Sequence, residues 1–310
     1  MVAKIISGRE VAEKILTTDL KNKVVKLNSR NIKPKLIVIL VGDTKASASY
    51  VAQKEKFAIK AGIESDVRRF KSTATEEDIL NEIEKINNDK DIHGVIVQLP
   101  LPDHISVTKV LNCIDPSKDV DGFTPTNVGK LFLGEDTLVS CTPKGIMQML
   151  ASINADLNGK NVTVIGRSNI VGKPVSMLCQ QQNATVTMCH SRTRDLNHKL
   201  ADADVIIVAV GVPKFINGDQ IPNGAIVIDV GIHNIDGKLC GDVDFDSAVE
   251  KASAITPVPG GVGPMTVCAL IENTILAAER TLDSAWEDSN FWPLASEANA
   301  LSNWATGANI

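Results

Sequence analysis

Lys54 lies four residues after Tyr50 in the stretch SASYVAQKEKFA (47–58), and Tyr50 is the only tyrosine in the chain. On a helix that spacing puts both side chains on one face. Tyrosine offers a flat amphipathic ring, and lysine offers a proton that burial can make labile. The preceding run KLIVILVG (35–42) is apolar and branched, which predicts a buried strand. The helix therefore starts at the carboxyl end of a strand, where open α/β sheets bind ligands. Gln98 ends a second such run, HGVIVQLPLP (93–102). A buried glutamine there needs hydrogen-bond partners, and a nearby lysine supplies one. The loop DPSKDVDGFTP (115–125) carries Asp115, Asp119 and Asp121. Any one of them could grip a polar heterocycle through a carboxylate fork. Taken singly, each residue reads as ordinary surface; their shared placement after strands argues for a site.

A second group suits phosphate. In VIGRSNIVGKP, Gly166 ends a strand and Gly172 opens a helix six residues later. Glycine lets backbone approach a phosphate, and a helix N-terminus supplies free N–H groups. The spacing is not G-x-G-x-x-G, so alone the loop equally fits a tight strand–helix turn. The next strand ends in CHSRT, without the acid that usually holds an NAD ribose. Ser191 and Arg192, with Arg167, suit a 2′-phosphate instead, which favours NADP. Tyr-x-x-x-Lys also occurs in short-chain dehydrogenases, but there it follows the cofactor glycines within one domain. Here it precedes them, ahead of a separate nucleotide unit.

The elements that position these residues alternate. Helices are predicted over 47–61 and 76–89, between the strands at 35–42 and 93–102, and over 108–114 after the second strand, giving a parallel α/β unit. A second unit begins near residue 140, with a helix at CTPKGIMQML that takes Thr142 as N-cap and Pro143 at the first helical position. Strands at 160–166, 184–191, 203–211 and 224–231 form a doubly wound nucleotide-binding scaffold. A short strand within 253–261 and a helix over 265–282 follow. All three tryptophans fall after residue 283, where the apolar period fades. Residues 284–310 read as an atypical tail, either a natural extension or an artificial scar, and are expected to be poorly ordered.

Composition narrows the class. The 310 residues suffice for two domains with cores, and 44% hydrophobic with 22% charged residues is ordinary for a globular protein. The net charge of −5 gives no basic surface for nucleic acid. No apolar run reaches membrane-spanning length, and the N-terminus does not read as a signal peptide. Six cysteines without a C-x-x-C pair fit reduced thiols in the cytoplasm, and five scattered histidines offer no metal site.

The stretches SYVAQKEKFAIKAGI, GVIVQLPLP, DPSKDVDGF, CTPKGIMQML, VIGRSNIVGKP, CHSRT and ITPVPGGVGPMT occur in this order. Together they closely resemble the bifunctional methylenetetrahydrofolate dehydrogenase/methenyltetrahydrofolate cyclohydrolase family, from about residue 4 to about 282. The resemblance implies two α/β domains with the active site in a cleft between them. The catalytic, folate-binding domain would be 1–139 plus 267–283, and the Rossmann-type NADP domain 140–266. It implies a cytoplasmic homodimer serving one-carbon metabolism and purine biosynthesis, with tetrahydrofolate derivatives as substrates. Lys54 is implied as the catalytic lysine, Tyr50 as a stacking platform, Gln98 as the partner of Lys54, and Asp121 as the pterin anchor. Val97, Leu99, Pro259, Gly260, Gly261, Val262 and Gly263 would line the folate side. Gly166, Arg167, Ser168, Ser191, Arg192 and Ile232 would meet NADP. Two narrower readings remain open here: a dehydrogenase without cyclohydrolase, and a non-catalytic NADP-binding protein.

Overall fold

The computed structural model describes the backbone of residues 3–42 and 45–287, and their side chains except at 45–50 and 283–287. The expected tail, 284–310, therefore lies almost wholly outside the described residues. In chain order the strands are β1 (Lys4–Ile5), β2 (Lys35–Val41), β3 (Glu64–Phe70), β4 (Gly94–Val97), β5 (Asn161–Ile165), β6 (Thr185–Cys189), β7 (Val205–Val208), β8 (Ile226–Asp229), β9 (His233–Ile235), β10 (Lys238–Cys240) and β11 (Ala254–Ile255).

A small parallel sheet has the order β3-β2-β4. Its centre, β2, is buried because both faces are covered, which is why it reads as an unbroken apolar run. The helix Glu76–Asn88 starts on a capping box between Thr75 and Asp78 and sends Ile79, Ile83 and Ile86 into the core beneath. The helix Lys45–Ala61 follows β2 directly. β3 has no counterpart in the sequence reading: ESDVRRF is an edge strand whose charges mask its period.

The large sheet is parallel, in the order β1-β11-β8-β7-β5-β6. β6 lies on one side of β5 and β7 on the other, so the chain reverses direction at β5. The crevice beyond the carboxyl ends of β5 and β7 is the switch point where such sheets bind ligands. This is the expected doubly wound architecture. One strand comes from outside the expected segment: β1, at the N-terminus, pairs with β11.

The helix Cys141–Ser152 starts two residues earlier than the Thr142 cap and Pro143 start expected from the sequence. Ser140 occupies the N-cap position and Pro143 is the third helical residue, correcting Thr142 as cap. The Ser140 hydroxyl donates to the Ile170 carbonyl rather than capping the helix. The helix Val262–Glu287 reaches back to the first unit: Asn273 Nδ2 donates to the carbonyls of Val120 (2.9 Å) and Val139 (2.8 Å). Contacts divide the chain into a compact unit, Met1–Ala278, and a second unit, Glu279–Ile310.

Candidate active site

Lys54 Nζ donates to Gln98 Oε1 at 2.9 Å. The Gln98 amide nitrogen donates to the Leu99 carbonyl at 2.8 Å, which fixes the glutamine with its oxygen toward the lysine. Gln98 is half-buried rather than buried, and its backbone N–H extends the β2–β4 ladder to Ile39. Asp121 and Cys141 complete the group. Burial lowers the Lys54 pKa, opposed chiefly by the charge of Asp121. Burial also raises the Asp121 pKa; Lys54 opposes this and Asp119 reinforces it. Burial, with Asp121 beside it, holds the Cys141 thiol well above its usual range, so it stays protonated. An amine pushed down and a carboxyl pushed up have converging proton affinities, as a proton-transfer site requires.

The three candidate aspartates separate by their partners. Asp115 accepts from Ser117 N and Oγ within its own loop. Asp119 is 1% exposed and accepts from Thr124 N (2.7 Å) and Asn127 Nδ2 (3.0 Å), so it is a structural anchor. Asp121 alone faces Lys54. Its turn is held by Gly122, at φ +68°, where a Cβ would come within 2.7 Å of the Leu138 carbonyl oxygen. The Val120 carbonyl is gripped by Asn273 Nδ2 and accepts from the Cys141 thiol at 3.2 Å.

Pro259, Gly260, Gly261, Val262 and Gly263 line a cleft of about 480 Å³ together with Ile232, Asp229, Arg9 and Gln53. Gln53 neighbours Lys54 on its helix, so the cleft brings the segment 257–264, the end of β8 and the lysine helix together. Leu99 lies elsewhere, in an apolar cavity of about 690 Å³ with Phe123, Asn169 and Ile170. The side chain of Val97 is in the core of the small sheet, so only its backbone can serve a ligand. Tyr50 is on the helix Lys45–Ala61 one turn before Lys54, but its side chain is outside the described ones.

On the second sheet, Ile165 pairs with Cys189, and Gly166 N donates to the Cys189 carbonyl. The segments carrying Arg167 and Ser191 therefore leave the sheet from neighbouring strand ends. Arg167, Ser168, Ser191 and Arg192 are all exposed. Gly166 has φ +132°, and a Cβ there would collide with the Ala209 carbonyl oxygen; one on Gly172 would collide with the carbonyl of Gly166. Ser168 Oγ accepts from the N–H groups of Val171 (3.1 Å) and Gly172 (3.3 Å), just ahead of and at the start of the helix Gly172–Gln181. A glycine-tight turn, a helix start and two exposed guanidiniums without a nearby strand-end acid fit a 2′-phosphorylated dinucleotide. The sequence reading used CTPKG only as a helix start, so it missed Cys141 beside Lys54. Arg9 lies outside every quoted motif, and Gln53, though inside SYVAQKEKFAIKAGI, carries no spacing that singles it out.

Known proteins match over most of the chain. Residues 6–121 match the catalytic domain of tetrahydrofolate dehydrogenase/cyclohydrolase, and residues 140–282 match its NAD(P)-binding domain. The bifunctional protein FolD of Bacillus subtilis is 53% identical over 283 residues, covering 91% of this chain and all of the relative. The crystal structure of the bifunctional FolD enzyme of Campylobacter jejuni superposes with a TM-score of 0.88 at 44% identity, covering 90% of this chain and 99% of that one. The Trypanosoma brucei enzyme complexed with NADP cofactor and inhibitor gives 0.86 at 37% identity, covering 91% and 99%. The chain belongs to the tetrahydrofolate dehydrogenase/cyclohydrolase family.

Proposed function

We propose that the protein oxidises 5,10-methylenetetrahydrofolate to the 5,10-methenyl form with NADP and then hydrolyses it to 10-formyltetrahydrofolate. The observation that carries this reading is the Lys54–Gln98 hydrogen bond beside Asp121, in a setting that draws the lysine and carboxyl proton affinities together. When bound, NADP supplies the hydride acceptor. Gly166, Arg167, Ser168, Ser191, Arg192 and Ile232 hold it. Residues 1–139 with 267–283 serve the folate side and 140–266 the cofactor side. Arrangement as a cytoplasmic homodimer rests on the family resemblance. Among the described residues no helix is long and apolar enough to cross a membrane, and no group of three or more His, Cys, Asp or Glu could hold a metal ion.

Hydride loss leaves a cation shared by two ring nitrogens, so the first step needs alignment more than acid–base help. Asp121 anchors the pterin, Tyr50 stacks beside the folate, and the segment 259–263 closes the opposite wall. The second step needs proton transfer. Water adds to the bridging carbon and releases one proton. The hydroxyl proton then moves to the leaving ring nitrogen as its C–N bond breaks. Neutral Lys54 can accept the first proton and relay the second, its ammonium protonating the leaving nitrogen while the amine so freed takes the hydroxyl proton, so that one proton passes to solvent per turnover. Gln98 orients the amine without adding a charge that would lock it protonated.

Ultraviolet spectra test the reading. The purified protein with 5,10-methylenetetrahydrofolate is expected to form the methenyl chromophore with NADP, and to clear supplied methenyl substrate faster than the uncatalysed hydrolysis. Methenyl that only accumulates means a dehydrogenase alone. No change in either assay means a binding protein, and overturns the proposal.

A further inference from the structure

We propose that Asp242 is a positioning residue for hydride transfer, fastening the two loops at the carboxyl ends of β7 and β8 that form the cofactor wall. The idea rests on the cofactor placement above. Asp242 is fully buried. Its Oδ2 accepts from the N–H groups of Val210 (2.7 Å) and Gly211 (2.9 Å), which follow β7. Its Oδ1 lies 2.7 Å from His233 Nε2, in the hairpin that follows β8. Asp229 seats it from below. Asp229 Oδ1 accepts from Gly231 N (3.0 Å) and Asp242 N (2.9 Å), and its Oδ2 accepts from Val243 N (2.9 Å).

These bonds form one connected path along the ligand crevice. The glycine turn at Gly166 abuts the carbonyl of Ala209, so the loops after β5 and β7 touch at the switch point. The next residue, Val210, is held by Asp242. Asp229 holds both Asp242 and Gly231, and Ile232 then emerges into the 480 Å³ cleft, 47% exposed. The fit leaves no slack. A Cβ on Gly231 would collide with the Asp242 carboxylate, and one on Gly241 with the Asp229 carboxylate. Neither carboxylate has a lysine or arginine among these partners, so each relies on backbone N–H groups, with His233 beside Asp242. Two buried carboxylates are a costly way to hold a hairpin if only stability were at stake. As a clamp they fix two cofactor-facing loops relative to each other, and a small misplacement there is enough to spoil hydride transfer. None of these groups faces Lys54, Gln98 or Asp121, so the hydrolytic half of the site should not feel the change.

That separation provides the test. Asp242→Ala is made in the full-length protein, with folding followed by circular dichroism. NADPH affinity is read by fluorescence titration without turnover, and cyclohydrolase activity by clearance of supplied methenyl substrate without cofactor. The expected result is NADPH binding weakened by about tenfold or more, the scale of stranding buried donors, with cyclohydrolase within about twofold of the unmutated protein. Unchanged NADPH affinity, or equal loss of both readouts in a folded variant, overturns the proposal. Should the alanine variant fail to fold, Asp242→Asn decides it. Asparagine keeps one acceptor oxygen for Val210 and Gly211 and loses the charge, so the same selective weakening is required, at roughly threefold or more. The unmutated protein is the control: if it neither binds NADPH nor hydrolyses the methenyl substrate, the functional reading fails, not the clamp.

Discussion

Arg192→Asp should reverse or erase the preference for NADP over NAD. β5 and β6 end side by side at Ile165 and Cys189, and Arg167 and Arg192 lie in the segments that follow them. The substitution should spare the turn that carries Arg192. Its framework is backbone and neighbouring side chains: Thr193 N donates to the His190 carbonyl at 2.8 Å, and His190 N donates to Thr193 Oγ1 at 2.8 Å. Arg192 is exposed, so its pairing with a 2′-phosphate belongs at the weak end of charge-assisted bonds, about tenfold in affinity. A carboxylate in its place adds like-charge repulsion worth roughly another fivefold at a contact distance in water. Efficiency with NADP should therefore fall by roughly 50-fold through both effects, while NAD, lacking the phosphate, is little affected. The loss should appear in KM rather than kcat, because the phosphate pairs equally in ground and transition states. Steady-state kinetics with both cofactors measure this. An unchanged NADP/NAD ratio in the variant, or equal efficiency with both in the unmutated protein, refutes the reasoning.

Gly166→Ala forces a side chain onto φ +132° and against the Ala209 carbonyl; calorimetry should record a loss of about 1–3 kcal/mol, and NADPH titration a weaker complex. Gln98→Met should impair cyclohydrolase in the native background yet be nearly silent beside Lys54→Met, because Gln98 acts through the lysine; a fully additive double mutant would contradict this. Burial raises the Asp229 carboxyl to about 6, against its three backbone hydrogen bonds. The folded state therefore holds this proton more tightly than the unfolded chain, and the Asp229 contribution is complete at low pH and declines as pH rises from about 4 to about 6, by roughly 3 kcal/mol. Denaturant titrations of Asp229→Asn across that range should lack this decline, and parallel profiles for the two proteins would count against it.

What could be read from the sequence follows from where the physics is local. β2, β5, β7 and β8 announce themselves because strands buried on both faces must be apolar throughout. Gly166 and the CHSRT end could be read as a cofactor turn because a backbone approach and a charge preference leave marks at single positions. β3 could not, because an edge strand carries charges that hide its alternation. β1 could not either: two residues have no period, and its partner β11 is 250 positions away in sequence. Among the three aspartates of DPSKDVDGF the sequence alone left the choice open. The fold makes it by giving Asp115 and Asp119 backbone and side-chain donors and leaving Asp121 toward Lys54. Cys141 and Asp242 stayed hidden because their roles depend on partners brought near by tertiary packing, which no spacing encodes.

The central claim is that Lys54 moves the protons of the hydrolytic step. Lys54→Met keeps the length of the stem and removes the ionisable head. The structure gives little reason for it to unfold: it removes a charge that burial disfavours, and Gln98 keeps its bond to the Leu99 carbonyl. The measurement is clearance of supplied 5,10-methenyltetrahydrofolate, without cofactor, by variant and unmutated protein, with folding checked by circular dichroism. The account predicts a loss of about 10² or more in cyclohydrolase, the usual scale of general acid–base catalysis, and a smaller loss in dehydrogenase. A folded Lys54→Met protein that hydrolyses the methenyl substrate at the full rate would contradict it.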